Sequence, residues 1–165
     1  MAFDLVSFTA GGLEEKAKKE LRLCNDYLKK YGDGIVLSEK EITMLVESRS
    51  YALRSTGRIE FGGGSLTELA KAFCDSPNIQ KSDFATVLAE LLDIFYAYKN
   101  ETDYKISDGE LIEAMRIAFD GSCHGSTELL ASIGARRILA TVKYGYETEL
   151  SPEDAPLDTE GETAE

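Results

Sequence analysis

The segment "SDFATVLAELLDIFYAYK", residues 82–99, indicates the fold class of this chain. Its apolar residues recur at spacings of three and four, which is the pattern of one helix face. Ile94 and Ala97 widen that face, so we expect this helix to be apolar nearly all round and central. Ser82 suits its N-cap. The apolar stripe consists of Phe84, Val87, Leu88, Leu91, Leu92, Phe95 and Tyr98.

Helix-start signals recur on either side of this segment. Three serines are each followed three residues later by a glutamate, the capping-box pattern in which the two side chains satisfy each other's free amides. The pairs are Ser38–Glu41, Ser65–Glu68 and Ser107–Glu110, and Gly125 or Ser126 suits the N-cap of a last helix. With the apolar periodicity, these signals predict helices at about 13–31, 38–55, 65–74, 82–99, 107–119 and from about 126 onward.

Signals for strands are sparse. Only "GIVL", residues 34–37, and "RIEF", residues 58–61, favour extended backbone, and these two segments could pair as a small two-stranded ribbon. The sequence therefore predicts a mostly α fold, a compact bundle or array of about six helices.

The composition indicates one globular domain and a charged tail. The chain has 165 residues, of which 43% are hydrophobic. Eight of its 30 acidic residues lie in 147–165, which has no Lys or Arg. Residues 1–146 therefore contain 22 acidic and 18 basic residues and carry −4 of the net charge of −12. We expect a single helical domain over 1–146 and an acidic, largely disordered tail over 147–165.

Several observations bear on location and partners. No run approaches the roughly 18 apolar residues of a membrane span, and the opening "MAFDLVSFTAGG" lacks the basic region of a signal peptide. An odd number of cysteines, three, disfavours a disulfide framework. Bases are mixed with acids except in "ARR" at 135–137, which disfavours a nucleic-acid surface. We expect a soluble cytoplasmic protein that contacts neither a membrane nor nucleic acid.

The stretch "TGRIEFGGGS", residues 56–65, comes close to a phosphate-binding loop. A Walker A loop reads G-x-x-x-x-G-K-[ST], and Gly57 and Gly62 fit its frame. The next two glycines occupy the lysine and hydroxyl positions, however, and Glu60 would repel phosphate. The pattern favours a structural turn that delivers a serine as the N-cap of the next helix. The alternative is a weak anion site. It would be formed by Gly62, Gly63, Gly64 and Ser65.

Three arginines lie close to this loop in the sequence. Arg49 falls on an apolar helix stripe, where an arginine usually extends to solvent or pairs with a buried carboxylate. We predict a structural ion pair between Arg49 and a carboxylate such as Glu60 or Asp75. Arg54 and Arg58 are expected nearer to solvent, where they could bind a carboxylate or phosphate of a partner.

The segment "GSCHGS", residues 121–126, holds the only histidine, His124, beside Cys123. A Cys–His nucleophile is one interpretation, but adjacent side chains seldom face each other, and the flanking glycines fit a turn between two helices. A zinc site made of the three cysteines and this histidine would lack any C-x-x-C pair. We therefore predict no catalytic residue, no metal and no cofactor, and the sequence leans away from an enzyme without deciding the question.

The combination of "ESRSYALRSTGRIEFGGGSL", "AFCDSP" and "ELLDIFYAYKNE" resembles a small bacterial protein family of unknown function. The resemblance covers most of residues 38 to 120. It implies an all-helical single domain of about this size, and it implies no activity, ligand or catalytic residue.

Two functional hypotheses remain open. The first is a small cytoplasmic helical protein that acts by binding another protein, because no complete catalytic constellation is present. The second is an enzyme or small-anion binder that uses Arg54, Arg58 and the glycine loop, together with Cys123 or His124. Convergence of these residues in one pocket, with a shifted pKa of the cysteine or histidine, would favour the second. The sequence does not determine the oligomeric state.

Overall fold

The computed structural model describes residues 10–103 and 105–144. Within these ranges the secondary structure is helical and contains no strand, which confirms the predicted mostly α fold. The helices are α1 (Ala10–Tyr31), α2 (Glu39–Thr56), α3 (Gly64–Phe73), α4 (Phe84–Glu101), α5 (Asp108–Asp120), α6 (Thr127–Ser132) and α7 (Ala135–Tyr144). None of them is both long and apolar enough to cross a membrane.

The chain divides after Tyr96 into two compact units, which we call unit 1 and unit 2. The predicted single domain over 1–146 stays a prediction. The predicted acidic tail over 147–165 lies outside the described residues.

Unit 1 is built on α1, which packs against both α2 and α3. The expected apolar stripes supply its core, because their side chains are excluded from water where the helices meet. Tyr31, at the end of α1, is exposed and lies against Tyr27, with the two ring centroids 4.5 Å apart. Fully buried core residues of the first three helices are Ala17, Leu21, Leu28, Ile42, Leu45, Val46, Leu66, Leu69, Ala70 and Phe73.

The expected ribbon between 34–37 and 58–61 does not form, and neither segment is a strand. Asn25 on α1 accounts for part of this difference. Its Oδ1 accepts the Leu37 N–H at 2.8 Å and its Nδ2 donates to the Leu37 carbonyl at 3.1 Å. Both backbone groups of Leu37 are thus paired to a helix side chain, so they need no neighbouring strand.

Helix α2 has the capping box that its sequence predicts. Ser38 Oγ accepts the Glu41 N–H, and Glu41 Oε1 accepts the Ser38 N–H. The helix ends at Gly57, which adopts the left-handed conformation with φ of 72°. This glycine turns the chain out of α2 and into the loop that carries Glu60.

Unit 2 contains α5, which packs against α6 and α7. Ser107 Oγ and Ser126 Oγ accept amides of the first turns of α5 and α6, as expected of N-caps. The one helix expected from about 126 is instead two, α6 and α7, because Gly134 breaks it with φ of +93°.

The hydroxyl of Tyr98 lies at this break. It donates to the Leu130 carbonyl at 2.8 Å, lies 3.2 Å from the Ala131 carbonyl, and accepts the Gly134 N–H at 2.8 Å. The end of α6 is therefore capped by a tyrosine from α4, which satisfies backbone groups that the interrupted helix leaves open.

A buried lysine holds the loop before α5. Lys99, on α4, is almost fully buried, and its Nζ donates to the Ile106 carbonyl at 2.6 Å. The same Nζ lies 2.8 Å from Asp108 Oδ1, which is partly exposed. We call Lys99, Ile106 and Asp108 the Lys99 centre.

Candidate functional site

A buried arginine organises the glycine loop of unit 1. Arg49, on the inner face of α2, is only 2% exposed. Its Nη1 donates to the Gly62 carbonyl at 2.8 Å and to the Gly63 carbonyl at 2.9 Å, and it lies 3.6 Å from Glu60 Oε1. Glu60 is one of the two carboxylates that the sequence suggested as a partner. The guanidinium therefore fixes the loop by two hydrogen bonds and one ion pair.

The Glu60 carboxylate also binds residues other than Arg49. Its Oε2 accepts hydrogen bonds from Arg58 Nε and Ser65 Oγ, both at 2.8 Å, and its Oε1 accepts the Ser65 N–H at 3.0 Å. Arg58 also lies over the Tyr96 ring, with its guanidinium carbon 6.0 Å from the ring centroid. We call Arg49, Arg58, Glu60, Ser65 and Tyr96 the Arg49 centre.

The predicted capping role of Ser65 is wrong. Helix α3 begins one residue earlier, at Gly64, and its N-cap Gly63 has no side chain that could accept an amide. The Glu60 carboxylate, which is buried and comes from the preceding loop, accepts the Ser65 amide instead. A negative charge at a helix N-terminus also interacts favourably with the helix dipole, so Glu60 replaces the serine cap.

Two of the three glycines, Gly62 and Gly64, make room for carboxylates. A Cβ on Gly64, where φ is +52°, would collide with Glu60 Oε1. A Cβ on Gly62, where φ is +63°, would collide with the carboxylate of Glu20 from α1. Glu20 Oε1 accepts the Gly63 N–H at 2.6 Å. Two amides that could have held a free anion are thus paired with side chains of the chain itself.

A cleft of about 290 Å³ opens beside the Arg49 centre. Its walls come from the start of α1, the last turns of α2 and the loop at 57–60, and they are mostly apolar. Arg54 is exposed, and no described residue forms a hydrogen bond or ion pair with its guanidinium. Arg58, expected nearer to solvent, is instead mostly buried, because its Nε donates to the buried Glu60 carboxylate. The lining consists of Leu13, Glu14, Arg49, Ser50, Leu53, Arg54, Gly57, Arg58, Ile59 and Glu60.

Two buried polar atoms of the Arg49 centre have no hydrogen-bond partner among the described residues. They are Arg49 Nε and the hydroxyl of Tyr96, which makes no hydrogen bond of ordinary geometry although the Glu60 carboxylate and Ser65 lie close to it. Burial, with the nearby Glu60 charge as a second cause, raises the pKa of Tyr96 above its ordinary value, so this hydroxyl stays protonated. A buried donor without an acceptor costs free energy, and in native proteins such a group calls for an explanation.

The Cys123–His124 pair lies in a turn of unit 2, between α5 and α6. Cys123 is buried, and burial raises the pKa of its thiol, which is the opposite of the shift that activates a nucleophile. His124 is exposed, with φ of +50°. Within residues 10–103 and 105–144, no group of three or more His, Cys, Asp or Glu side chains is placed to hold a metal ion.

Sequence reasoning missed two residues of this region. Glu20 borders the apolar stripe of α1, and nothing in its spacing shows that it reaches a loop more than forty positions away. Tyr96 lies off the main stripe of α4, where a tyrosine more often packs beneath a loop than joins an interface, and its position does not show that it reaches the Arg49 centre. Tyr96 is buried, whereas Glu20 is half-buried.

These observations define an all-helical protein with a buried arginine–glutamate centre beside an arginine-lined cleft. The chain belongs to a family described as "Family of unknown function (DUF6323)", whose sequence profile matches residues 20–148. The resemblance to a family of unknown function is thereby confirmed. No curated protein and no solved structure matches the chain.

Proposed function

We propose that this protein binds a segment of another protein at the cleft between α1, α2 and the loop at 57–60. One observation carries the proposal: large apolar side chains stand in solvent beside a cation that has no partner in the described part of the chain. Ile59 is 70% exposed and lines the cleft, and Phe61 is 60% exposed two residues later. Tyr51, also exposed, lies one turn before Arg54 on α2.

The loop that carries Ile59 and Phe61 is held firmly although these side chains are exposed. Glu60 lies between them in the sequence and is buried in the Arg49 centre, and the two carbonyls that follow Phe61 accept hydrogen bonds from Arg49. The conformation of the loop is therefore fixed before any partner arrives. Preorganisation of this kind reduces the entropy lost on binding.

The composition of this surface is that of a binding hot spot. Aromatic residues and arginine are enriched in the central parts of protein interfaces, whereas scattered exposed apolar residues are ordinary. Here Ile59 and the unpaired Arg54 line the cleft, and the exposed aromatic residues Tyr51 and Phe61 are close to them in the sequence. Charge complementarity then specifies the partner as an apolar segment that carries a carboxylate.

A selection experiment on the full-length protein tests this proposal. A library of random dodecapeptides with free carboxyl termini is displayed and selected on the wild type. We expect enriched peptides to combine large apolar residues with a carboxylate, and to bind the variant Ile59→Ser/Phe61→Ser at least about tenfold more weakly. Leu23→Ser is the matched control, because Leu23 is 63% exposed on α1 and does not line the cleft.

Both substitutions remove exposed side chains, so neither is expected to change the melting temperature by more than a degree or two. Peptides that bind all three proteins equally would contradict the proposal. A melting temperature that phosphate raises in the wild type but not in Arg54→Gln would instead favour the small-anion alternative.

A further inference from the structure

We propose that the cleft binds the C-terminal residue of the partner, with an apolar side chain against its walls and the α-carboxylate at its arginines. This inference rests on the proposed function and specifies its ligand. The carrying observation is that Arg49 lines the cleft, is 2% exposed, and has a buried Nε–H without an acceptor among the described residues. An acceptor supplied by a ligand would remove that deficit.

The charges of the lining favour a ligand with a negative charge. Three arginines line the cleft against two carboxylates, those of Glu14 and Glu60. Glu60 is already held by Arg58, Ser65 and Arg49, so its charge is compensated within the Arg49 centre. Arg54 has no such compensation. A carboxylate offers two oxygens, one for the charge of Arg54 and one for the donor on Arg49.

The size of the cleft favours a terminal residue over an internal acidic one. About 290 Å³ lies at the lower limit of the roughly 300–1,000 Å³ of small-ligand sites, enough for one or two side chains. The apolar walls, from Leu13, Leu53 and Ile59, adjoin the arginines within this one volume. A C-terminal leucine carries its apolar side chain and its carboxylate on the same residue. An internal aspartate would need a second residue to fill the apolar part.

A matched pair of small probes tests the inference directly. N-acetyl-leucine and N-acetyl-leucinamide differ only in whether the carboxylate is free or amidated. Each is titrated into the ¹⁵N-labelled full chain while the Nε–H signals of the arginines are followed by NMR. We expect the acid to shift the Arg49 and Arg54 signals saturably, and the amide to bind at least about tenfold more weakly. The signal of Arg22, whose Nε is paired with Glu39, is the internal control.

Two surface variants sharpen the test without disturbing the Arg49 centre. Arg54→Gln should abolish the preference for the acid, because it removes the uncompensated charge. Glu14→Gln should increase that preference, because it removes a carboxylate that repels the ligand. Neither residue has a hydrogen bond or ion pair with another described residue, so both variants should fold as the wild type does.

The failure of this inference can be told apart from the failure of the proposed function. If the selected dodecapeptides bind at the cleft but their C-terminal amides bind equally well, the partner is recognised and the C-terminal assignment is overturned. An Arg49 Nε–H signal that the acid leaves unchanged overturns it also, since no oxygen of the ligand then reaches that donor. If the library yields no peptide that depends on Ile59 and Phe61, the proposed function itself fails.

Discussion

The Arg49 centre of unit 1 and the Lys99 centre of unit 2 are built from the same kinds of parts. In each, a buried cation on a helix donates to one or two backbone carbonyls of a loop and pairs with a carboxylate near that loop. Arg49 uses the Gly62 and Gly63 carbonyls and Glu60. Lys99 uses the Ile106 carbonyl and Asp108. Both cations are nearly excluded from water.

The two centres differ in how completely their polar atoms are satisfied. In unit 2 the Lys99 ammonium has partners, and the neighbouring Tyr98 hydroxyl has three backbone groups within hydrogen-bond distance. In unit 1 the Arg49 guanidinium retains an unmatched Nε, and the Tyr96 hydroxyl has no partner among the described residues. A centre that only holds a loop has no need of spare donors, so the Arg49 centre is the one suited to bind something further.

The largest effect is expected from removing the buried cation of unit 1. Arg49→Met keeps much of the side-chain volume, but it takes away the donor to two loop carbonyls and leaves the buried Glu60 with a single cationic partner. Breaking a buried pair in this way typically lowers the free energy of unfolding by about 3–5 kcal/mol. Urea unfolding followed by circular dichroism would measure it.

A double variant separates the charge from the packing in this prediction. In Arg49→Met/Glu60→Gln the carboxylate is neutral, while the glutamine oxygen can still accept the Ser65 amide. We expect the double variant to be more stable than Arg49→Met alone, because no undercompensated charge remains buried. If both variants lose the same free energy, packing around Arg49 dominates and the electrostatic account of the Arg49 centre is wrong.

The corresponding change in unit 2 should cost less. Lys99→Met removes the donor to Ile106 and the partner of Asp108, but the Asp108 side chain is partly exposed and can be solvated by water. We expect a loss of about 1–3 kcal/mol, below that of Arg49→Met, by the same urea measurement. The comparison between the two units would be reversed if Lys99→Met proved the more damaging substitution.

The elements of this fold could be predicted because their signals are local. The apolar stripe of α4 and the capping box of α2 each lie within a few turns of one helix, and the structure contains both. The break at Gly134 was missed because apolar residues, among them Leu130 and Ile138, occur on both sides of it. A single glycine in a helical pattern does not show that the hydroxyl of a tyrosine from another helix will accept its backbone N–H.

The site could be predicted only in part, since its contacts join distant positions. The stripe position of Arg49 indicated a buried arginine, and the glycines indicated an unusual turn. That the turn is closed by Glu20 and Glu60 depends on how α1 lies against the loop, which no short pattern encodes. The cleft has the same origin, because its lining combines α1 with the end of α2.

The smallest changes in stability are expected from removing the hydroxyls of two tyrosines on α4, Tyr98 and Tyr96. Tyr98→Phe in unit 2 removes a hydroxyl that accepts the Gly134 N–H and donates to the Leu130 carbonyl. Leaving these groups unpaired should lower the free energy of unfolding by about 1–2 kcal/mol. The loss should be accompanied by faster amide exchange in α6 and at Gly134, measured by hydrogen–deuterium exchange. Unchanged exchange there would show that the hydroxyl does not cap α6.

Tyr96→Phe removes the same atom two residues earlier, where it has no hydrogen bond of ordinary geometry, so the loss of unfolding free energy at pH 7 should be close to zero.

The pH dependence of this difference in stability has a definite sign, because burial raises the pKa of Tyr96 in the folded state. Above about pH 10 the unfolded tyrosine ionises while the folded one keeps its proton, which destabilises the wild type but not the variant. The free energy of unfolding of the variant should therefore rise relative to that of the wild type as pH increases from 8 to 11, by up to about 1.4 kcal/mol per pH unit above pH 10. A loss above about 1 kcal/mol at pH 7 would mean that Glu60, Ser65 or a buried water satisfies the hydroxyl, and the contrast with Tyr98 would then disappear.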